Sequence, residues 1–273
     1  MFIFRFDSTF NAEITRTKES KMYSTVNEIS PKHLDNLRLL NLTVGVFFSV
    51  LSLFFLIDTA TNSHGEVAVV ATSWDRSSAS TLVEYIDRDV KVGYFSFLFT
   101  LLAAADHLLV ATRLRSAYED GLTRGINLFR WAEYSLSASL MNVMIAMLCG
   151  VQEVQVLQAV GFLTATCMIF GALVEGSLPT AIITPRHIFW LGCVPFLGAW
   201  VLIFGAFIRN SDGAPDFVYA LVFVLFFCEC AFGVNQIRHA SSYLQREVVY
   251  ILLSPTAKFT LALVTYGGLR ALP

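Results

Sequence analysis

The sequence predicts an all-α membrane protein with seven membrane-spanning helices. Composition is the first evidence, because 55% of the 273 residues are hydrophobic and only 15% are charged, whereas soluble domains carry about 25% charged residues. The mean hydropathy of +0.61 agrees with this class. Seven apolar runs also reach the length of about 20 residues that a spanning helix needs. These runs are residues 37–58, 92–115, 126–149, 155–175, 187–208, 216–239 and 246–270.

The residues before the first span are predicted to form a separate N-terminal segment. Residues 1–34 mix charged and hydroxyl side chains and lack an apolar stretch of signal-peptide length. We expect this segment to remain in the cytoplasm and residues 35–273 to form a single seven-helix domain. All five cysteines lie within or beside the apolar runs, so neither a disulfide framework nor a metal site is expected.

The first and second spans are joined by a long polar loop, residues 58–91. This loop contains two strand-like stretches, EVAVVATSW and STLVEYI, separated by charged residues and serines. Short runs of β-branched and aromatic residues on either side of such a polar turn are typical of a β-hairpin. We therefore predict a hairpin that lies outside the bilayer.

Lysine and arginine are unevenly divided between the two ends of the predicted bundle. Thirteen lie on the side of the N-terminus, five lie on the opposite side, and Lys258 lies within the membrane. Loops rich in lysine and arginine stay on the cytoplasmic side. The distribution therefore predicts a cytoplasmic N-terminus and an extracellular C-terminus.

The seventh span, which includes ILLSPTAKFTLALVTYGG, carries Lys258 about midway between its ends. A charge at this depth costs at least about 2.5–3.5 kcal/mol, so we expect a partner that compensates it. Burial favours the uncharged amine, which can condense with an aldehyde to form a Schiff base. The lysine alone leaves another interpretation open, in which it pairs with a carboxylate or lines a transport cavity.

The third span places a carboxylate at a matching depth. Its sequence RWAEYSLSASLM carries Glu133 near the cytoplasmic end and Ser137 one turn later on the same face. Because the third and seventh spans both begin on the cytoplasmic side, Glu133 lies where the side chain of Lys258 approaches. Glu133 is therefore a candidate counterion. The alternative is a glutamate at the rim of the bundle that pairs with Arg130 or Arg113.

Together these features resemble the heliorhodopsins. The resemblance rests on seven helices, a cytoplasmic N-terminus, the long first loop, WAEYSLSAS in the third span and SPTAK in the seventh, and it covers the chain from about residue 35 onward. Ordinary microbial rhodopsins have the opposite orientation. The resemblance implies a rhodopsin-like bundle that binds all-trans retinal as a protonated Schiff base on Lys258. It also implies that Glu133 is the counterion and that Ser254 supplies a hydroxyl near the Schiff base.

The resemblance further implies a polar cavity on the cytoplasmic side of the Schiff base. In AAADHLLVAT of the second span, His107 matches a histidine of this cavity and Asp106 lies next to it. A lone histidine in a membrane span is equally consistent with a hydrogen-bonded core residue. Family members often have a second cavity histidine in the first span, but NLTVGVFFSVLSLFFLI offers phenylalanine and serine instead. We therefore expect His107 with Asp106, or water, to accept the proton.

The sixth span contains another costly carboxylate, Glu229, in VLFFCECAFGV. It is either a protonated, hydrogen-bonded residue that tunes colour or packing, or a step in a proton path that starts at Glu133 and His107. We favour the first interpretation because the outer halves of the spans hold few other carboxylates. Tyr134 and Phe227 are expected near the chromophore, although aromatic residues are also common at membrane interfaces.

The function implied by the resemblance is that of a light sensor or regulator that does not pump ions. Light isomerises retinal, the charge of the Schiff base moves relative to Glu133, and a proton reaches the inner cavity. One alternative is a light-driven or light-gated proton transporter that uses Glu229. Another is a secondary transporter without retinal that couples Lys258 to Glu133, which the lack of an inverted repeat disfavours.

The expected partners are retinal, the lipid bilayer, a second copy of the chain and an unidentified signalling protein. The homodimer is implied by the resemblance, with contacts through the fourth and fifth spans and the hairpin. An enzyme is not expected, because the sequence offers no nucleophile with its base, no cluster of metal ligands and no phosphate-binding loop.

Overall fold

The computed structural model describes residues 30–62, 64–75, 77–78, 80–176, 183–238 and 242–272. Over these residues the chain forms eight α-helices, one short 3-10 turn and a two-stranded antiparallel sheet. In chain order they are α1 (Pro31–Thr61), β1 (Glu66–Asp75), β2 (Ser80–Lys91), α2 (Gly93–Ala111), α3 (Arg115–Thr123), α4 (Leu128–Leu148), α5 (Val154–Gly176), α6 (Pro185–Asn210), the 3-10 turn (Ser211–Gly213), α7 (Asp216–Ile237) and α8 (Tyr243–Arg270).

Seven long helices form the predicted membrane bundle. Within the described part of the chain, six of them are long and apolar enough to cross a membrane, namely α1, α2, α5, α6, α7 and α8. The other, α4, has 21 residues, which is also a spanning length. It is more polar because Arg130, Glu133 and Asn142 lie on its buried face. The fold class predicted from the sequence is confirmed, and α4 spans the bundle with several polar side chains buried.

The helices pack mainly against their neighbours in sequence. Helix α1 contacts α2, α4 contacts α5, α5 contacts α6, and α7 contacts α8, while α2 also contacts α4. One close approach depends on glycine, because a Cβ atom on Gly171 of α5 would overlap the ring of Trp131 on α4. The indole of Trp131 therefore fits against α5 only where no side chain is present.

The hairpin predicted in the first loop is confirmed. Strands β1 and β2 pair in antiparallel register from Glu66 with Lys91 to Asp75 with Ser80. The hairpin is attached to the start of α5, because Val70 N donates to Gln152 O at 3.0 Å and Thr72 N donates to Glu153 Oε1 at 3.1 Å. We call the end of the bundle that carries this sheet the hairpin end, and the opposite end, which carries α3, the α3 end.

The boundaries of two spans differ from those predicted. Helix α1 begins at Pro31 rather than at residue 37, so the expected limit of the N-terminal segment at residue 34 falls inside a helix. Proline favours the first helical turn, because its ring fixes φ and it has no N–H to leave unpaired. The predicted span 92–115 is too long, since α2 ends at Ala111 and a separate helix, α3, begins at Arg115. Residues 1–29 of the expected segment lie outside the described residues.

Candidate functional site

Lys258 of α8 and Glu133 of α4 form a buried ion pair in the interior of the bundle. Lys258 Nζ lies 3.2 Å from Glu133 Oε2 and donates a hydrogen bond to Ser254 Oγ at 2.7 Å. Ser254 is one helical turn before Lys258, so the two side chains share a face of α8. Lys258 Nζ also lies 5.0 Å from the ring centre of Tyr134, within the range of a cation–π contact. The structure thus brings together four of the residues that the sequence singled out.

Two polar atoms beside this pair have no partner among the described residues. They are Glu133 Oε1 and Ser137 Oγ, and both are buried. Buried polar atoms are seldom left unpaired, so these two mark a place where a further polar group would be stabilised. Glu133 does not behave as the rim glutamate of the alternative interpretation, because Arg130 binds Glu175 and Glu247 instead.

A cavity of about 340 Å³ adjoins Lys258. It lies among α4, α5, α6, α7 and α8, and most of its walls are apolar or aromatic. Its volume falls within the range of about 300–1,000 Å³ typical of small-molecule sites. The predicted site residues that line it are Lys258, Ser254, Tyr134, Ser137 and Glu229.

Phe227 does not line this cavity, so its predicted position near the chromophore is wrong. Its side chain is 65% exposed on the outside of the bundle. Successive residues of a helix are rotated by about 100°, so Phe227 faces away from Glu229, which points inward two residues later. Phe232, one turn beyond Glu229, lines the cavity and packs edge-on against Tyr134, with ring centres 5.4 Å apart.

A second, smaller cavity of about 20 Å³ lies toward the α3 end. Asp106 and His107 of α2 both line it, together with Asn41 of α1. The Nδ1 atom of His107 lies 2.6 Å from Asn41 Oδ1. The cavity is polar and has room for about one water molecule. The structure thus places both predicted proton-related residues of α2 in one polar cavity, with an α1 asparagine that was not predicted.

A cluster of buried charges at the α3 end was also not predicted. Arg130 of α4 forms ion pairs with Glu175 of α5 and Glu247 of α8. Neutral side chains complete the cluster: Trp131 Nε1 donates to Glu175 at 2.8 Å, and Asn127 Nδ2 and the Tyr118 hydroxyl donate to Glu247 at 2.8 and 3.0 Å. Charged residues at the ends of spans usually reach water, so these three were not expected to pair with one another. The signal that could have predicted the cluster is the presence of one arginine and two glutamates at matching depth in three spans.

Glu229 of α7 has partners of its own. Its Oε2 atom accepts a hydrogen bond from Trp200 Nε1 at 2.7 Å and a longer one from Asn142 Nδ2 at 3.5 Å. Asn142 Nδ2 also donates to Thr164 Oγ1 at 3.0 Å. Among the described residues no direct hydrogen bond joins Glu229 to the pair of Lys258 and Glu133.

The fold is that of the microbial rhodopsins, as solved structures show. The chain resembles xanthorhodopsin, a light-driven ion pump with a dual chromophore, with a TM-score of 0.67 at 14% identity over 89% of this chain and 95% of that one. It resembles a thermophilic rhodopsin from Rubrobacter xylanophilus, with a TM-score of 0.62 at 13% identity over 86% and 96%. It also resembles the light-driven proton pump CsR of Coccomyxa subellipsoidea, with a TM-score of 0.62 at 14% identity over 87% of this chain and 96% of that one. At these identities the similarity establishes the fold alone.

The family follows from the sequence match. The family model described as Heliorhodopsin matches residues 37–269, and the chain belongs to this family. The resemblance found in the residues is therefore confirmed. No curated protein matches the chain. Family and fold together make this an integral membrane protein that binds retinal and responds to light.

Proposed function

We propose that this protein is a light sensor that holds all-trans retinal as a protonated Schiff base on Lys258, with Glu133 as counterion. The observation that carries the proposal is the buried contact of 3.2 Å between Lys258 Nζ and Glu133 Oε2 beside the large cavity. When bound, retinal supplies the absorption of visible light and a double bond that light isomerises.

The residues around the cavity fit such a chromophore. Its apolar walls suit an extended hydrocarbon chain, and Lys258 offers an amine to an aldehyde. Glu133 Oε1 and Ser137 Oγ are unpaired in the described structure and available to a charged group at the lysine nitrogen. A carboxylate beside a positive charge stabilises it, and the ring face of Tyr134 adds a further attraction.

The polar cavity beside the ion pair supports a sensor rather than a pump. We propose that His107 and Asp106 receive a proton there after light absorption, while Asn41 orients the imidazole of His107. Arg130 and Glu247 also line this cavity, on its side toward α3. The Glu247 carboxylate is already held by Arg130, Asn127 and Tyr118, so it is not a free acceptor for the onward passage of a proton. The charge cluster that joins α3, α4, α5 and α8 responds when the proton arrives in the cavity. The proton then returns to the Schiff base.

We also propose the remaining features that the family resemblance implied. The N-terminus is cytoplasmic and the C-terminus extracellular, in line with the distribution of lysine and arginine. The protein works as a homodimer with a signalling partner and has no enzymatic activity of its own.

One observation favours a second candidate, a light-driven or light-gated proton transporter. Glu229 lines the same cavity as Lys258, and its Oε1 atom has no described hydrogen-bond partner. Light-evoked current in a voltage-clamped cell separates the two functions. The sensor gives no steady current, whereas a current that disappears in Glu229→Gln supports the transporter and rejects the sensor.

The first test of the proposal is the visible spectrum of the purified protein expressed with all-trans retinal. We expect a visible band in the wild type and none in Lys258→Ala. Lys32→Ala is the matched control, because Lys32 is exposed at the start of α1 and should leave the band unchanged. A visible band that persists in Lys258→Ala, or no band in the wild type, would refute the assignment of Lys258.

A further inference from the structure

The large cavity contains a second carboxyl group, Glu229, which the proposed attachment of retinal does not use. Its Oε2 atom is held by Trp200 Nε1 of α6 and Asn142 Nδ2 of α4, at 2.7 and 3.5 Å. Because donors from two other helices hold this oxygen, the orientation of the carboxyl group is set before a ligand binds. Such preorganisation favours binding, since less conformational freedom is lost.

The other oxygen of the same group, Glu229 Oε1, is buried and has no hydrogen-bond partner among the described residues. The Oδ1 atom of Asn142, whose Nδ2 atom contacts the same carboxyl group, is buried and unpaired among the described residues as well. Phe196, Leu225 and Met141, which also line the cavity, offer no strong donor. An amide oxygen only accepts hydrogen bonds, whereas a carboxyl oxygen accepts when ionised and can donate when protonated. A hydroxyl group, which can do both, therefore suits this site in either state.

Glu229 lies at the part of the cavity remote from the attachment point. Asn142, its partner on α4, lies about 13 Å further along the helix axis than Glu133, at about 1.5 Å per residue. Glu133 marks the position of Lys258 Nζ, which is 3.2 Å away. A retinal attached to Lys258 and extended along this cavity would bring its ring toward Glu229.

From these contacts we propose that the protein prefers a retinal whose ring carries a hydroxyl group, and that Glu229 binds this hydroxyl. The inference rests on the proposed attachment of retinal to Lys258 and adds the substituent that the remote end of the cavity selects. The hydroxyl forms a hydrogen bond with Glu229 Oε1, and the ring carbons pack against the apolar walls. Glu229 is then a specificity-determining residue for the chromophore.

A competition experiment tests this inference. The protein is produced without retinoid and incubated with equal amounts of all-trans-retinal and all-trans-3-hydroxyretinal, and the bound chromophores are then extracted and quantified. One hydrogen bond to a carboxyl group is expected to enrich the hydroxylated compound about tenfold in the wild type. In Glu229→Met the ratio should fall to about one. Phe227→Met is the matched control, since it places the same side chain two residues away on the exposed face of α7, and should keep the preference.

The possible results separate this inference from the proposed function. Equal incorporation of the two compounds into the wild type would overturn the inference while the visible band still supports attachment to Lys258. No visible band with either compound would overturn both. A preference that persists in Glu229→Met, or a preference for a ring ketone over the ring alcohol in the same assay, would also overturn it. If Glu229→Met does not fold, the ratio of the two compounds bound by the wild type still tests whether the protein prefers the hydroxylated retinal.

Discussion

His107 of α2 contacts Asn41 of α1 through a short polar contact, with Nδ1 of the ring 2.6 Å from Oδ1 of the amide. Both side chains are buried, and Asn41 Nδ2 is in turn bonded to the backbone oxygen of Leu37 at 3.0 Å. The orientation of the imidazole is therefore fixed by the first helix. Helix α1 thus contributes an asparagine to the polar cavity, where family members often have a second histidine.

Replacing Asn41 by alanine tests the role of this contact in proton transfer. We expect Asn41→Ala to retain the visible band and to slow the light-induced transfer of the proton to the inner cavity, because the imidazole loses the partner that orients it. Flash photolysis of the retinal-bound protein measures this rate. Thr43→Ala is the control, since the Thr43 side chain is exposed and bonds only to its own helix. An unchanged rate in Asn41→Ala would argue against His107 as the acceptor.

The counterion assignment predicts the effect of Glu133→Gln. Removing one member of a buried pair costs about 3–5 kcal/mol, because the remaining charge is left uncompensated. We therefore expect the protein to favour the uncharged Schiff base and to lose most of its visible absorption at neutral pH. The spectrum should be recorded without chloride, so that no anion replaces the carboxylate. Glu153→Gln, at the hairpin end, should keep the full band; a full band in Glu133→Gln as well would contradict the assignment.

The buried charge cluster predicts a large loss of stability in Arg130→Ala. Two carboxylates, Glu175 and Glu247, would be left without their cation, at a cost of about 3–5 kcal/mol. Thermal loss of the visible band measures the change against the wild type. Arg124→Ala is a matched control, because its pair with Asp120 is exposed and such pairs contribute about 0–1 kcal/mol. Equal thermal stability of the two variants would mean that the buried cluster does not stabilise the fold more than an exposed ion pair does.

The contact between Gly171 and Trp131 predicts the effect of a single methyl group on the cavity wall. In Gly171→Ala the new Cβ overlaps the indole ring, and crowding of this kind typically costs about 1–3 kcal/mol. We expect a lower melting temperature and weaker retinal binding, because Trp131 lines the cavity. Gly205→Ala, where a Cβ meets no atom within 4 Å, should behave like the wild type. Normal retinal binding in Gly171→Ala would show that the indole can move aside.

The sequence predicted the parts of the structure that depend on hydropathy and on local pattern. Apolar length located the seven spans, and alternating strand-like residues located the hairpin. The juxtaposition of Lys258 and Glu133 was also predictable, since the depth of a residue in a membrane can be counted from the end of its span. Their pairing follows from the high cost of an isolated charge in the membrane.

Features that depend on rotation about a helix axis were harder to predict. Phe227 was assigned to the chromophore because it is near Glu229 in sequence, yet the two side chains leave α7 in nearly opposite directions. Arg130, Glu175 and Glu247 lie on three helices whose mutual orientation is set by packing. No pattern within any one of these spans reveals that they meet. The break between α2 and α3 was missed because the residues that join them, Thr112, Arg113 and Leu114, were counted as the polar end of the second span.

Helix α5 is held by a glutamate near each of its ends. Glu153, just before the helix begins, is bonded to Thr72 of the hairpin, and Glu175 near the last turn pairs with Arg130. The helix between them extends about 34 Å at 1.5 Å per residue. The helix therefore connects the charge cluster at its C-terminal end to the β-sheet at its N-terminal end. A shift of Arg130 in the membrane would displace the sheet on the far surface, where a spin label on the exposed Tyr85 would register it.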